Sequence, residues 1–163
     1  MSIGKLPQVL LNQLLSRINI RDQRVLLGPK VGEDAAVLNF GNQLLVAKTD
    51  PITFATDLVG WYAVHINAND VACTGAVPRW FMATLLLPPQ TTEATIFQIF
   101  DQILNTCESI GVTLIGGHSE FTPTVSHPVI VGCMLGEMSK SDVIRTSDAQ
   151  PGDSIVLTKG IAI

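Results

Sequence analysis

Charge is scarce in this sequence. Only 15% of its 163 residues are Asp, Glu, Lys or Arg, and 10 basic residues face 14 acidic ones, for a net charge of −4. A broad nucleic-acid footprint needs clustered Lys and Arg to displace counterions from phosphates, so no nucleic-acid partner is expected. Cysteine is scarce as well. Cys73, Cys107 and Cys133 are odd in number and far apart, which leaves neither a CxxC metal knuckle nor a paired disulfide framework and fits a reducing cytoplasm. No stretch approaches the roughly 20 apolar residues of a membrane span, and Met1 to Pro7 has no apolar run of the signal-peptide kind. A soluble, cytoplasmic protein without a membrane partner is expected.

What the chain has in quantity is apolar surface: 47% of its residues are hydrophobic and its mean hydropathy is positive. Free-standing monomers usually carry more charge than this, so part of the surface is expected to be interface, with a second copy or with a further segment. The length suits one ordinary domain, which buries about two thirds of the surface its unfolded form exposes.

Hydrophobic periodicity organises the chain. Leu10, Leu11, Leu14, Leu15 and Ile18 recur at helical spacing over residues 6–18, with Pro7 in the first turn. Residues 35–40 and 44–49 read as strands of a hairpin around Gly41-Asn42, a pair suited to positive φ. Asp57 is expected to cap a helix over 58–74, stopped by Gly75. A strongly apolar strand over 80–87 ends at Pro88-Pro89. Thr92 opens the clearest helix, with Ile96, Ile99, Phe100, Ile103, Cys107 and Ile110 on one face and Gly111 at its end. Strands are expected over 112–115, 129–138 and 154–158. The order β-β-α-β-α-β-β predicts an α+β domain, a mixed sheet covered by helices on one face. The last residues stop without a polar tail, as a chain cut within a structural element would.

Three carboxylates fall at element boundaries or within a helix: Asp34, Asp50 and Asp70. Strand ends present side chains to a cleft, where carboxylates can converge on Mg²⁺ and bridge it to phosphates. Taken singly, Asp34 reads first as a turn residue and Asp50, before Pro51, equally as a strand-end turn former. Asn67 and Asp70 share a helical face among Val64, Ile66, Ala68, Val71 and Ala72, where polar side chains need partners. Lys48 either neutralises a phosphate beside Thr49-Asp50 or is a solvated strand lysine. Gly116-Gly117 either lets a backbone approach a phosphate or is a plain turn leaving a strand. His118 stands as a metal ligand, a phosphate contact or a turn residue. His65 reads as packed, His127 as a loop residue, and Trp61, Trp80 and Phe81 as core or interface.

In succession these signals resemble a family. Gly32-Glu33-Asp34-Ala35-Ala36-Val37, Lys48-Thr49-Asp50, Asn67-Ala68-Asn69-Asp70-Val71-Ala72 with Gly75-Ala76-Val77-Pro78-Arg79, and Gly116-Gly117-His118-Ser119 are similar, in order, to the motifs of the aminoimidazole ribonucleotide synthetase superfamily. That superfamily includes thiamine-monophosphate kinase, selenophosphate synthetase and HypE-type hydrogenase-maturation factors. The resemblance covers nearly the whole chain and is nearest the HypE-like branch. It implies an ATP-binding domain over residues 1–150, with 151–163 opening a C-terminal domain, and a homodimer joined through the sheet into a barrel-like core. It implies Mg²⁺ on Asp34, Asp50 and Asp70, with Asn67, Lys48, Thr49, Gly116, Gly117 and His118 toward the nucleotide, and hydrogenase-maturation partners. ATP would then activate a substrate oxygen by phosphorylation. The alternatives are a thiamine-monophosphate kinase-like phosphotransferase and a non-catalytic dimerisation module. His118 departs from the kinase branch, which has Asp there, and matches the selenophosphate synthetases. Their reactive N-terminal Cys or selenocysteine has no counterpart here, and the C-terminal cysteine of HypE-type factors would lie beyond residue 163. Activity that needs the second domain is not expected of these residues alone.

Overall fold

The computed structural model describes residues 3–139 and 143–157. Helix α1, Gln8–Leu15, is shorter than the expected 6–18 because Pro7 stands outside it as the N-cap; none of its side chains is buried. A three-residue strand β1, Val25–Leu27, follows. It was not expected, since three residues are too few to display a period. The hairpin forms as expected from β2, Ala36–Phe40, and β3, Gln43–Ile52, with Gly41 at φ +77° in the turn.

Helix α2, Val59–Cys73, begins differently from the expectation: Leu58, at φ +53°, is its N-cap, with no side-chain cap hydrogen bond, so Asp57 does not cap it. Gly75 does stop it, at φ +87° with its N–H donating to the Ala72 carbonyl at 2.9 Å. Strand β4 is Val77–Leu87 and helix α3 is Glu93–Ser109, its first turn capped by the Thr92 hydroxyl, which accepts from the Thr95 N–H at 3.2 Å. Strand β5 runs Thr113–Phe121 and β6 Val129–Met138; a 3₁₀ turn covers Thr146–Asp148. Two expectations fail here. Gly116-Gly117 lies inside β5 and does not leave a strand, because the glycines pair with Met82 and Ala83 of β4. Residues 154–157 form no strand, and Ile155, Val156 and Leu157 are exposed; Thr158 and the residues after it lie outside the described ones.

The sheet has the order β1-β2-β3-β6-β4-β5. All neighbours are antiparallel except β4 and β5, which run parallel and are joined through α3, as a parallel pair requires. This is the expected α+β class with a mixed sheet. Side chains alternate along β6: Ile130, Met134 and Met138 are buried on the face that carries α2, while Val129, Val131, Cys133 and Leu135 are half-buried on the other. Phe81, Leu85 and Leu87 of β4 and Leu44 and Val46 of β3 complete the core, and Val64, Val71, Ile99 and Ile103 seal it from the helices. No helix among the described residues is long and apolar enough to cross a membrane.

The two helices meet at a glycine. A Cβ on Gly60 would lie 2.6 Å from the Ile99 carbonyl oxygen and 2.9 Å from Gln102 Cβ, and the Gly60 N–H donates to Gln102 Oε1 at 3.0 Å. Alanine is intrinsically the better helix residue by about 1 kcal/mol. Gly60→Ala is nevertheless expected to lose about 1–3 kcal/mol through overpacking, read as a lower denaturant midpoint at unchanged slope. An unchanged or raised midpoint would mean that α2 and α3 are not held in this contact.

Candidate functional site

Strand β3 and helix α2 bring the acidic positions together around a lysine. Lys48 and Asp50 are two apart on β3 and therefore project to the same face, the one covered by α2. Lys48 Nζ lies 2.8 Å from Asp70 Oδ2, 3.5 Å from Asp50 Oδ2 and 3.9 Å from Asp34 Oδ1. The lysine side chain is 9% exposed, while Asp70, Asp50 and Asp34 are 24%, 37% and 66% exposed, so Lys48 is the innermost of the four side chains. Burial disfavours that charge, but the Asp70 hydrogen bond and the fields of Asp70, Asp50 and Asp34 outweigh it, and the Lys48 pKa is raised.

Asn67 is fully buried on the same helix, three residues before Asp70. Its Nδ2 donates to the Ala63 carbonyl at 2.8 Å and the Asp50 carbonyl at 3.3 Å. Both partners are acceptors, which fixes the amide orientation and leaves Oδ1 buried without a hydrogen-bond partner among the described residues. An orphaned buried acceptor costs about 1–3 kcal/mol. The close approach exists because residue 132, opposite Asp50, is glycine; a Cβ there would collide with the Asn67 amide and come within 2.8 Å of Phe81 Cε2.

A cleft of about 920 Å³ opens beside Asp50, with Ile52, Phe54, Ala55, Tyr62 and Ile66 among its walls. That is the size of a small-molecule site, mostly apolar with a few polar groups at one side. Tyr62, Ile66 and Phe54 were not anticipated, although Tyr62 and Ile66 are one helical turn apart and so share a face. His127, expected to be a plain loop residue, ties the cleft's rim: its Nε2 donates to the Thr53 carbonyl at 2.7 Å. That tie spans 74 residues and has no local signature. His65 packs against Trp61, with ring centroids 4.2 Å apart.

The other expected residues lie elsewhere. Thr49 projects to the opposite face of β3 from Lys48 and Asp50, and its hydroxyl donates to the Gly132 carbonyl at 2.8 Å. Gly116, Gly117 and His118 are on β5, with β6 and β4 between them and β3, about 14 Å away at ordinary strand spacing. There they line a smaller pocket of about 300 Å³ with Ala83, Leu85, Phe100 and Leu114. His118 Nε2 is 3.2 Å from Glu120 Oε2, and both side chains are largely exposed. The two glycines differ in kind. A Cβ on Gly117 would run into the Ala83 carbonyl oxygen, whereas one on Gly116 would meet nothing within 4 Å.

The cluster's chemistry fits a hard divalent cation. Carboxylate oxygens are the donors such ions take, and Mg²⁺ usually uses one or two of them together with waters and phosphate oxygens. Among the described residues, no three His, Cys, Asp or Glu side chains are arranged to hold a metal by themselves; the lysine stands between the carboxylates.

Comparison with known proteins identifies the family of the chain. The model of the AIR synthase related protein N-terminal domain matches residues 32–138, a range that holds Asp34, Lys48, Asp50, Asn67, Asp70 and the paired glycines. Among curated relatives, a thiamine-monophosphate kinase of Synechococcus elongatus is 31% identical over 137 residues, covering 78% of this chain and 41% of the relative. A protein of Methanocaldococcus jannaschii, provisionally named a hydrogenase expression/formation protein, is 26% identical over 164 residues, covering 97% of this chain and 49% of the relative. In fold, the chain is similar to a structure of the hydrogenase maturation protein HypE in complex with ATP, at TM-score 0.62 and 21% identity, covering 85% of this chain and 39% of that one. The chain spans less than half the length of the curated relatives it matches.

The raised Lys48 pKa has a sign that can be checked. A cation whose folded pKa exceeds its unfolded value of 10.5 stabilises fully below that value and loses the effect as pH rises through the folded pKa. The stability difference between the wild type and Lys48→Met is therefore expected to stay level from about pH 7 to about pH 10 and to shrink only above that. A difference that shrinks between neutral pH and about pH 9 would contradict the ion cluster.

Proposed function

The chain belongs to the AIR synthase related protein family through its N-terminal domain, and on that premise we propose that it is the ATP- and Mg²⁺-binding part of a HypE-like, ATP-dependent enzyme. The observation that carries the reading is the convergence of Asp34, Asp50 and Asp70 within 4 Å of one lysine ammonium, beside a cleft large enough for a nucleotide. In this reading Asp34, Asp50 and Asp70 hold Mg²⁺ against the nucleotide phosphates and Asn67 fixes the strand end that presents Asp50. When bound, the metal neutralises charge on the transferring phosphoryl group. The protein's own share is positioning: a carboxylate cluster preset by the β3–α2 packing holds the polyphosphate in one orientation for attack by a substrate oxygen. Thr49 belongs to the reading only as support for β3, since its hydroxyl is engaged across the sheet.

Assembly is part of the proposal. The open face of the sheet carries half-buried Trp80, Met82, Leu86, Val131 and Leu135, and the edge strand β5 exposes Ile115 and Phe121. A homodimer joined through that face would cover them, and it would let Gly116, Gly117 and His118 approach a nucleotide held from the partner's side. Hydrogenase-maturation proteins are the partners that fit the HypE-like reading. A phosphotransferase acting on thiamine monophosphate is the second reading, favoured by the 31% identity to such a kinase; phosphorylation of thiamine monophosphate by the longer protein would select it.

Calorimetric titration of Mg-ATP, with the mass in solution recorded alongside, tests the core of the proposal. Saturable binding to a dimer is expected, weakened at least about tenfold by Asp70→Asn, the scale of one lost charge-assisted contact. Absence of binding on an intact dimer would leave this half as an assembly core without a nucleotide site of its own.

A further inference from the structure

We propose that Lys48 is the resident counter-ion of the carboxylate cluster, so that a divalent cation enters by displacing its ammonium. This rests on the reading of Asp34, Asp50 and Asp70 as cation ligands. Three features of the site carry it. First, the three carboxylates converge on Nζ, and among the described residues no three acidic, His or Cys side chains form a ready cage; the place from which all three carboxylates are in reach is held by the lysine. Secondly, Lys48 is the least exposed side chain of the four, and the carboxylates become more exposed from Asp70 to Asp50 to Asp34. A cation arriving from solvent therefore meets Asp34 and Asp50 first and reaches Asp70 only as Lys48 yields it. Thirdly, three carboxylates less one ammonium leave a formal charge of −2, which still attracts a divalent ion toward a site whose best ligand is engaged.

The movement needed is confined to one side chain. Lys48 is fixed in the ladder by its place opposite Met134 on β6, but its ammonium rides on a flexible four-carbon stem. Asn67 bears on the same site without being able to move. It is fully buried, held by the Asp50 and Ala63 carbonyls, and its Oδ1 has no partner among the described residues. Once displaced, the ammonium keeps its charge and needs another anion, which a polyphosphate would supply. Metal alone should then bind weakly, and metal with nucleotide should bind strongly, because the second ligand receives the lysine that the first expels. A positive charge left close to an entering dication opposes it by Coulomb repulsion.

Binding of Mn²⁺ alone, followed by electron paramagnetic resonance at fixed ionic strength, separates the possibilities. Lys48→Met keeps the stem and removes the charge, and it is expected to bind Mn²⁺ about tenfold tighter than the wild type. Lys48→Arg keeps the charge and is expected to bind no tighter than the wild type. Circular dichroism checks each fold first, and Lys48→Gln replaces the methionine variant if that one is recovered unfolded. Equal or weaker Mn²⁺ binding by the neutral variants would overturn the displacement. If neither the wild type nor the neutral variants bind Mn²⁺ even with ATP added, the cation-ligand reading itself fails, a result distinguishable from the first.

Discussion

Everything at the site depends on how closely helix α2 approaches strand β6. Gly132 and Gly136 lie beneath the helix, and a Cβ on either would collide with it, at the Asn67 amide in one case and at Val71 in the other. Two bare positions on one strand lower the helix onto the sheet. Only at that separation can a short Asn side chain reach across to the Asp50 carbonyl on β3 and a short Asp side chain reach Lys48 at 2.8 Å. The interior is densely packed and accommodates an added methyl group poorly, so the spacing is set by van der Waals contact, and the electrostatics of the site follow from it. A longer approach would leave Lys48 without its nearest carboxylate, a costly arrangement for a lysine whose side chain is 9% exposed.

Much of this was legible in the sequence, for identifiable reasons. The strand 129–138 and the helix after Thr92 announced themselves because their periods are long and regular, and Gly41 and Gly75 because positive φ has few other hosts. Asn67 and Asp70 stood out as polar residues within an apolar helix, and the structure brings both to one site with Lys48 and Asp50. Residues whose placement depends on distant parts of the chain were not legible. Leu58 at the start of α2 adopts a positive φ for which leucine has no local preference, and the three-residue β1 is too short to show a period. The tie from His127 to Thr53 is a contact between loops 74 residues apart, and nothing near either residue foretells it. Of the two readings of Lys48, the solvated edge lysine fails, because strand alternation turns its side chain inward beneath α2 while turning Thr49 out.

The paired glycines show how one sequence signal can have two physical causes. Gly117 is required by the sheet: it faces the Ala83 carbonyl so closely that no Cβ fits, and the β4–β5 pairing would have to open to admit one. Gly116 is under no such demand, for a Cβ there would meet nothing within 4 Å. Its φ of +157° is instead the cost of the irregularity by which β5 shifts register against β4 between Phe81 and Met82, a distortion that glycine accommodates most readily. The bulge lies on β5, which among the described residues is the last strand of the sheet, next to the exposed His118–Glu120 pair. Donor groups on such an edge are open to water or to another molecule, whereas the carboxylates under α2 belong to a preset and partly buried cluster. The chain thus presents two chemically different surfaces separated by two strands: an anionic cluster fixed by packing, and a bare edge of backbone donors. A ligand carrying both a metal-binding and a hydrogen-bond-accepting end could engage both only if that distance were closed from outside the chain.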